Sequence, residues 1–288
     1  MSNLAILLVI SAAFSHAYWN FLAKRAGGGP AFIWLFAAIS GAIYAPVALG
    51  ILYFYRPSIG PTGLFFMLVS ALLHLAYYLV LQRGYSQGDL SVVYPLARGT
   101  GPMLSCIAAI IFFHERPGIV AVAGICLVLY GVFQLTGGSR LFSTKKVHSG
   151  WALKYGLVTG AIIAAYTVWD KQAVSGLMIP PVLLDWSTSI ARTLLLAPYA
   201  YKRWDAVKHQ WRVNKRYALG VAVFNPLSYI LVLSALVFTP ITYVAPAREI
   251  SILFGTLIGT RILAEADAKR RIFAATIMIA GVIALSLG

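Results

Sequence analysis

Apolar residues along this chain arrive in long blocks, separated by short polar punctuation, without strict two-residue alternation. A helix needs about 20 residues to cross a hydrocarbon core about 30 Å thick, and the blocks have that length. A membrane barrel would instead show alternating segments about 10 residues long. The pattern predicts ten spans, at 3–23, 31–54, 62–82, 90–113, 118–136, 151–172, 181–200, 217–238, 241–262 and 270–287. Gly27-Gly28-Gly29-Pro30, Arg56-Pro57, Gly88-Asp89, His114-Glu115-Arg116-Pro117 and Thr239-Pro240 mark the short loops between them. Longer polar stretches occupy 137–150 and 201–216, and no separate soluble domain fits. The first block, Ser2 to Lys24, lacks a basic n-region and a small-residue cleavage site, so it reads as a retained span.

Composition sharpens this picture. Of 288 residues, 60% are hydrophobic and 11% charged, whereas soluble domains carry about 25% charged residues. Lipid, not water, is the main solvent. The net charge of +15 would suit nucleic acid, but the basic residues sit in loops with no basic face or aromatic-interleaved groove. Those loops lie on one side: Lys24, Arg25, Arg83, Arg140, Lys145, Lys146, Lys202, Arg203, Lys208, Arg212, Lys215, Arg216, Lys269, Arg270 and Arg271. The other side has only Arg56, Arg116 and, at a span end, Lys171. The asymmetry predicts that both termini lie outside the cytoplasm. Cys106 and Cys126 fall inside spans and read as free thiols; no disulfide framework, metal spacing or cofactor motif is present.

An internal repeat organises the chain. At a constant offset of 150, Trp19 matches Trp169, Pro30 matches Pro180, Ala97-Arg98 matches Ala247-Arg248, Glu115 matches Glu265, and Gly131-Val132 matches Gly281-Val282. The expected units are 1–138 and 151–288, joined by a linker at 139–150. Five spans in each unit is an odd number, so the second must be inverted relative to the first. Inverted repeats of this kind are a signature of secondary transporters, which bind substrate near the midplane. The fold class is therefore an all-α polytopic membrane protein, ten helices in two inverted five-helix repeats around a central cavity.

Two arginines interrupt the apolar pattern at equivalent places, Arg98 and Arg248. A guanidinium at the centre of a bilayer helix costs about 2.5–3.5 kcal/mol on insertion scales, so such residues are functional by default. Paired guanidinium forks suit carboxylate and phosphate. The competing reading is internal neutralisation, with Glu249 or Asp170 as the partner. Around Arg98, Tyr94-Pro95-Leu96-Ala97-Arg98-Gly99-Thr100-Gly101-Pro102 carries two prolines and two glycines, and Pro246 precedes Arg248. Pro95, Gly99, Gly101, Pro102 and Pro246 are candidate helix breaks that would open backbone groups to the cavity. Alternatively they let helices approach closely.

The residues resemble the EamA-type branch of the drug/metabolite transporter superfamily. The likeness rests on the tandem five-helix units and on Phe112-Phe113-His114-Glu115-Arg116-Pro117, echoed by Leu263-Ala264-Glu265-Ala266-Asp267. It rests too on Gly124-Ile125-Cys126-Leu127 with Gly131-Val132, echoed by Ala280-Gly281-Val282. The resemblance implies a ten-helix carrier whose cavity is lined by spans 1, 3, 4, 6, 8 and 9, with substrates ranging from amino acids and other metabolites to drugs. Many relatives keep their termini in the cytoplasm, where the loop charges here favour the reverse. Small four-helix relatives bind protons and cations through a first-span glutamate; span 1 here has no carboxylate, which tells against cationic-drug export.

Further candidates follow from shared helix faces. His16 and Asn20, with Trp19 beside them, lie on span 1, and Tyr166, Trp169 and Asp170 on span 6. Asp170 and Glu249 are proton-coupling candidates, since burial favours the neutral form of a carboxyl group; an interfacial pair of Asp170 with Lys171 is the alternative. His74 and Tyr78 face the same way on span 3, and Asn225 and Tyr229 on span 8; with Tyr94 they are candidate substrate contacts. Asp185, Ser189 and Arg192 share a face of span 7, peripheral by the resemblance, and read as a structural polar cluster. Trp34, Trp151, Trp186 and Trp204 read as interfacial belt residues, and 201–216 as a segment that lies on an anionic leaflet or carries topogenic charge.

These features predict a secondary carrier for a small anionic or zwitterionic metabolite: an organic acid, an amino acid, or a phosphonate- or phosphate-bearing compound. Its partners are the substrate and the lipid bilayer, with proton coupling or counter-substrate exchange both open and a monomer plausible. The expected location is a bacterial inner membrane. No P-loop is present, so ATP is not the direct energy source. An exporter of amphipathic drugs is the alternative. A lipid-modifying enzyme is disfavoured, because His16, His74, His114, His148 and His209 are scattered and neither HExxH nor Gly-x-Ser-x-Gly occurs.

Overall fold

Proline opens three of the helices, at Pro30, Pro61 and Pro181, where its missing N–H would have been unpaired anyway and its fixed φ suits the first turn. The computed structural model describes residues 1–27, 29–87, 90–135, 150–260 and 268–288. In chain order the helices are α1 (Asn3–Arg25), α2 (Pro30–Phe54), α3 (Pro61–Gln87), α4 (Leu90–Phe112), α5 (Ile119–Leu135) and α6 (Gly150–Lys171). A π-helical turn, Gln172–Gly176, follows α6. Then come α7 (Pro181–Lys202), α8 (Trp204–Phe238), α9 (Ile241–Ala247), α10 (Ile250–Thr260) and α11 (Ala268–Leu287). No strand occurs among the described residues.

Among the described residues, four helices are long and apolar enough to cross a membrane: α1, α2, the Pro61–Leu81 part of α3, and α8. Leu96–Phe112, Ile119–Gln134 and Ile272–Leu287 are shorter apolar helices. The outer surface is apolar, with Leu7, Phe14, Val47, Leu68, Ile111 and Leu194 exposed, while Arg98, Asp170, Arg192 and Glu249 are buried. That distribution suits a hydrocarbon surround, in which charged groups must face inward.

Small residues set the helix contacts. α5 and α11 meet so closely that a Cβ on Gly124 would lie 2.8 Å from the Gly281 carbonyl oxygen, the close approach that glycine permits in bilayer helices. α4 packs on α6, α1 on α8 and α10, α2 on α7 and α8, and α3 on α6 and α7. At the end of the molecule where the chain starts and finishes, the Met1 amino group donates to Ser286 O at 3.0 Å.

Internal prolines leave carbonyls that neighbouring helices fill. Pro226 has no N–H for Ala222 O, and Ser40 Oγ of α2 donates to that oxygen at 2.9 Å. Pro246 likewise frees Thr242 O, which accepts from Cys106 Sγ of α4 at 4.0 Å.

Several expectations are corrected. α4 runs as unbroken helix from Leu90 to Phe112, so Pro95, Gly99, Gly101 and Pro102 do not break it. Gly101 serves packing instead, because a Cβ there would meet Ile163 of α6 at 2.9 Å. The break falls on the other repeat, between α9 and α10 at Arg248–Glu249, just past Pro246. Backbone bonds tighten there to three-residue spacing, with Glu249 N donating to Pro246 O at 3.0 Å and Ile252 N to Glu249 O at 2.9 Å. The 201–216 stretch is largely helical, the start of α8, bent where Asn214 leaves helical geometry (φ −116°, ψ 16°). Asn214 Nδ2 anchors the bend by donating to Ala26 O at 3.1 Å. The indoles of Trp34 and Trp186 donate to Thr193 O at 3.1 Å and Gly41 O at 2.9 Å, tying α2 to α7. The expected linker at 139–150 and the residue Glu265 lie outside the described residues, apart from Gly150, which opens α6.

Candidate functional site

Where α1, α3, α4, α6, α7, α8 and the α9–α10 junction converge, they enclose a cavity of about 50 Å³. Its wall is polar and aromatic. Trp19 and His16 come from α1; His74, Tyr77 and Tyr78 from α3; Tyr166 from α6; and Asn225, Ser228 and Tyr229 from α8. Arg98, Arg192 and Arg248 bring three guanidinium groups to it, and Asp185 brings a carboxylate.

The two arginines singled out from the sequence differ in their surroundings. Arg98 is bound across the repeats: its Nε lies 2.9 Å from Glu249 Oε2 and its Nη2 donates to Ser251 Oγ at 2.7 Å. Internal neutralisation therefore holds for Arg98. Arg248, one residue before Glu249 in sequence, is turned by the helix break toward the cavity. It shares the cavity wall with Tyr166, and its buried Nε has no hydrogen-bond partner among the described residues.

Behind the opposite wall lies Asp170, fully buried. Its Oδ2 accepts from the Tyr229 hydroxyl at 2.5 Å and lies 3.0 Å from His74 Nε2. The other oxygen, Oδ1, is buried without a partner among the described residues. His74 is held between rings, stacked on Tyr166 at 4.3 Å and edge-on to Tyr229 at 4.8 Å. Asp170 thus fixes the orientation of two side chains that do reach the cavity. Lys171 takes no part: its Nζ donates to Leu236 O at 2.6 Å and Thr239 O at 3.1 Å, capping the end of α8. On the remaining side Asn225 Nδ2 donates to the Tyr78 hydroxyl at 3.2 Å.

Of the expected contacts, Trp19, His74, Tyr78, Arg98, Asn225, Tyr229 and Arg248 converge on this one cavity. Asn20 and Trp169 do not. Asn20 turns back on its own helix to donate to His16 O at 2.7 Å. Trp169 donates to Phe66 O at 2.9 Å and stacks on the Phe66 ring at 4.2 Å, a packing role. Glu249 and Asp170 sit one layer behind the wall. The side chains of Tyr94 and Pro95 lie outside the described residues.

Asp185 and Arg192, read from the sequence as a peripheral polar cluster, line the cavity, so α7 joins the wall. The signal was present: two charges one helical face apart in a span that lipid would not tolerate unless they face inward. No cluster of His, Cys, Asp or Glu capable of holding a metal occurs among the described residues.

Comparison with solved structures gives a crystal structure that superposes with a TM-score of 0.75, covering 98% of this chain and 98% of the other at 15% identity. Likeness at that identity speaks for the fold alone. No curated protein matches the chain. The model of the EamA-like transporter family, a drug/metabolite transporter domain, matches twice, at residues 3–137 and 150–287. Each match covers one set of the helices that meet at the cavity, and together they span nearly the whole sequence: the chain belongs to the EamA-like transporter family.

Proposed function

We propose that the protein is a secondary active transporter that carries a small anionic or zwitterionic metabolite across a bacterial inner membrane by alternating access. One observation carries the choice of substrate charge: Arg248 lines the cavity, and its buried Nε–H has no acceptor among the described residues. A buried donor without a partner costs about 1–3 kcal/mol, more for a charged group, and a bound carboxylate or phosphonate would remove that cost.

The helix contacts support two inverted repeats. Exchanging the halves maps α1 on α8 to α6 on α3, α1 on α10 to α6 on α4, and α2 on α8 to α7 on α3. α5–α11 and α2–α7 map onto themselves. A two-fold relation of this kind supplies two equivalent gates to one site. Ligand sites for small molecules usually span about 300–1,000 Å³, so a cavity of about 50 Å³ is a contracted form that must widen to admit a metabolite.

The test is exchange of labelled organic and amino acids in liposomes. The wild-type protein exchanges at least one of them, and Arg248→Ala abolishes it while eluting as a folded monodisperse species. Unchanged exchange by Arg248→Ala overturns the anion site and favours an exporter of amphipathic drugs.

A further inference from the structure

We propose that the substrate-gripping cation pair is Arg192 with Arg248, and that Asp185 accepts a hydrogen bond from an amine or hydroxyl on the same molecule. The proposal rests on the transport reading above and assigns that site's contacts to α7.

Three guanidinium groups line the cavity, but they are not equivalent. The charge of Arg98 is matched by Glu249, and its Nη2 is taken by Ser251. Arg192 is 5% exposed, yet among the described residues its Nε and Nη1 have no hydrogen-bond partner. What holds it is aromatic: its guanidinium carbon lies 4.6 Å from the Tyr78 ring centroid and 6.0 Å from that of Phe36. Stacking fixes the plane of a guanidinium while leaving its edge N–H groups to donate, the arrangement that recognises planar or tetrahedral oxoanions. Tyr78 is itself held by Asn225 at 3.2 Å, so the platform under Arg192 is rigid.

Asp185 is the one carboxylate lining the cavity among the described residues. It makes no side-chain hydrogen bond or ion pair with any of them. It precedes Arg192 by two helical turns on the same face, about 10 Å along the axis. Helical side chains lean toward the N-terminus, so the long arginine reaches back toward the carboxylate. The two ends of a compact molecule can then be read at once, anion at Arg192 and Arg248, donor at Asp185. Indole Nε1 of Trp19, in the same wall, is likewise buried without a partner among the described residues.

Binding of four probes to the detergent-solubilised full chain tests this: acetate, glycine, methylphosphonate and aminomethylphosphonate. Wild type is expected to bind the amino members more tightly than their partners. Arg192→Gln should weaken all of them on the order of 10- to 100-fold, and Arg192→Lys less. Asp185→Asn should abolish the preference for the amino members. Should Arg192→Gln fail to fold, the Lys variant and Asp185→Asn carry the same test. Wild-type-like binding by the Arg192 variants, or a preference that survives Asp185→Asn, overturns this assignment alone. If Arg248→Gln also binds as wild type does, or wild type binds none of the four, the anion site itself falls.

Discussion

Arg98 of α4 and Glu249 of the α9–α10 junction meet across the two repeats, Nε to Oε2 at 2.9 Å, with both side chains out of solvent. Removing one partner of a buried pair strands the other charge, at about 3–5 kcal/mol. Glu249→Gln should therefore lower the melting temperature of the purified protein sharply. Replacing both residues by apolar ones of similar volume should recover most of the loss, and a double variant no better than the single one would refute the pairing as the cause.

Glu115 caps α9 from the other repeat, its two oxygens accepting from Ile241 N at 2.8 Å and Thr242 N at 2.9 Å. A carboxylate at a helix N-terminus contributes about 0.3–1 kcal/mol through the helix dipole, in addition to the hydrogen bonds. Glu115→Gln is expected to cost about 1 kcal/mol in stability and to raise the labelling rate of a cysteine placed on α9. Labelling at the wild-type rate would show that the cap does not restrain this helix.

Asp170 orients His74 and Tyr229 from behind the cavity wall. Asp170→Asn keeps the shape but alters what both neighbours can bond, so exchange should fall at least about 10-fold, the effect of a charged hydrogen bond. Trp169→Phe, one residue away and bonded to Phe66 O, should change stability and leave exchange near wild type. Equal effects of the two on exchange would deny Asp170 its positioning role.

The α5–α11 seam leaves no room at Gly124, where a Cβ would meet backbone at 2.8 Å. Gly124→Ala should cost about 1–3 kcal/mol by overpacking. Gly50 in α2 has nothing within 4 Å of a Cβ, and Gly50→Ala should be neutral or slightly stabilising, as alanine favours helix. Thermal unfolding of the two variants side by side decides it.

Loop charge predicts both termini outside the cytoplasm. A reporter fused after Gly288 that fluoresces only in the cytoplasm should stay dark, and a bright one would reverse the orientation.

Helicity, membrane character and the repeat were legible because each depends on length and spacing, which lipid enforces on any sequence. Convergence of Arg98 and Arg248 was legible for the same reason: a bilayer drives charges inward. Glu249 was legible as a neutralising partner, but not which of the two arginines it would take. Glu249 follows Arg248 in the chain yet pairs with Arg98, because the helix break turns adjacent side chains to opposite sides, and a break is a tertiary event. Prolines and glycines around Arg98 suggested such a break in α4, but that helix runs unbroken and packs along α6. Arg192 was discounted by analogy with relatives, although its own cost of burial in lipid argued for the interior.

α9 spans only Ile241 to Ala247, about 10 Å of helix. One end is clasped by Glu115 and the other runs into the turn that presents Arg248. So short a piece leaves only seven residues between the carboxylate clasp of Glu115 and the turn that carries the Arg248 guanidinium.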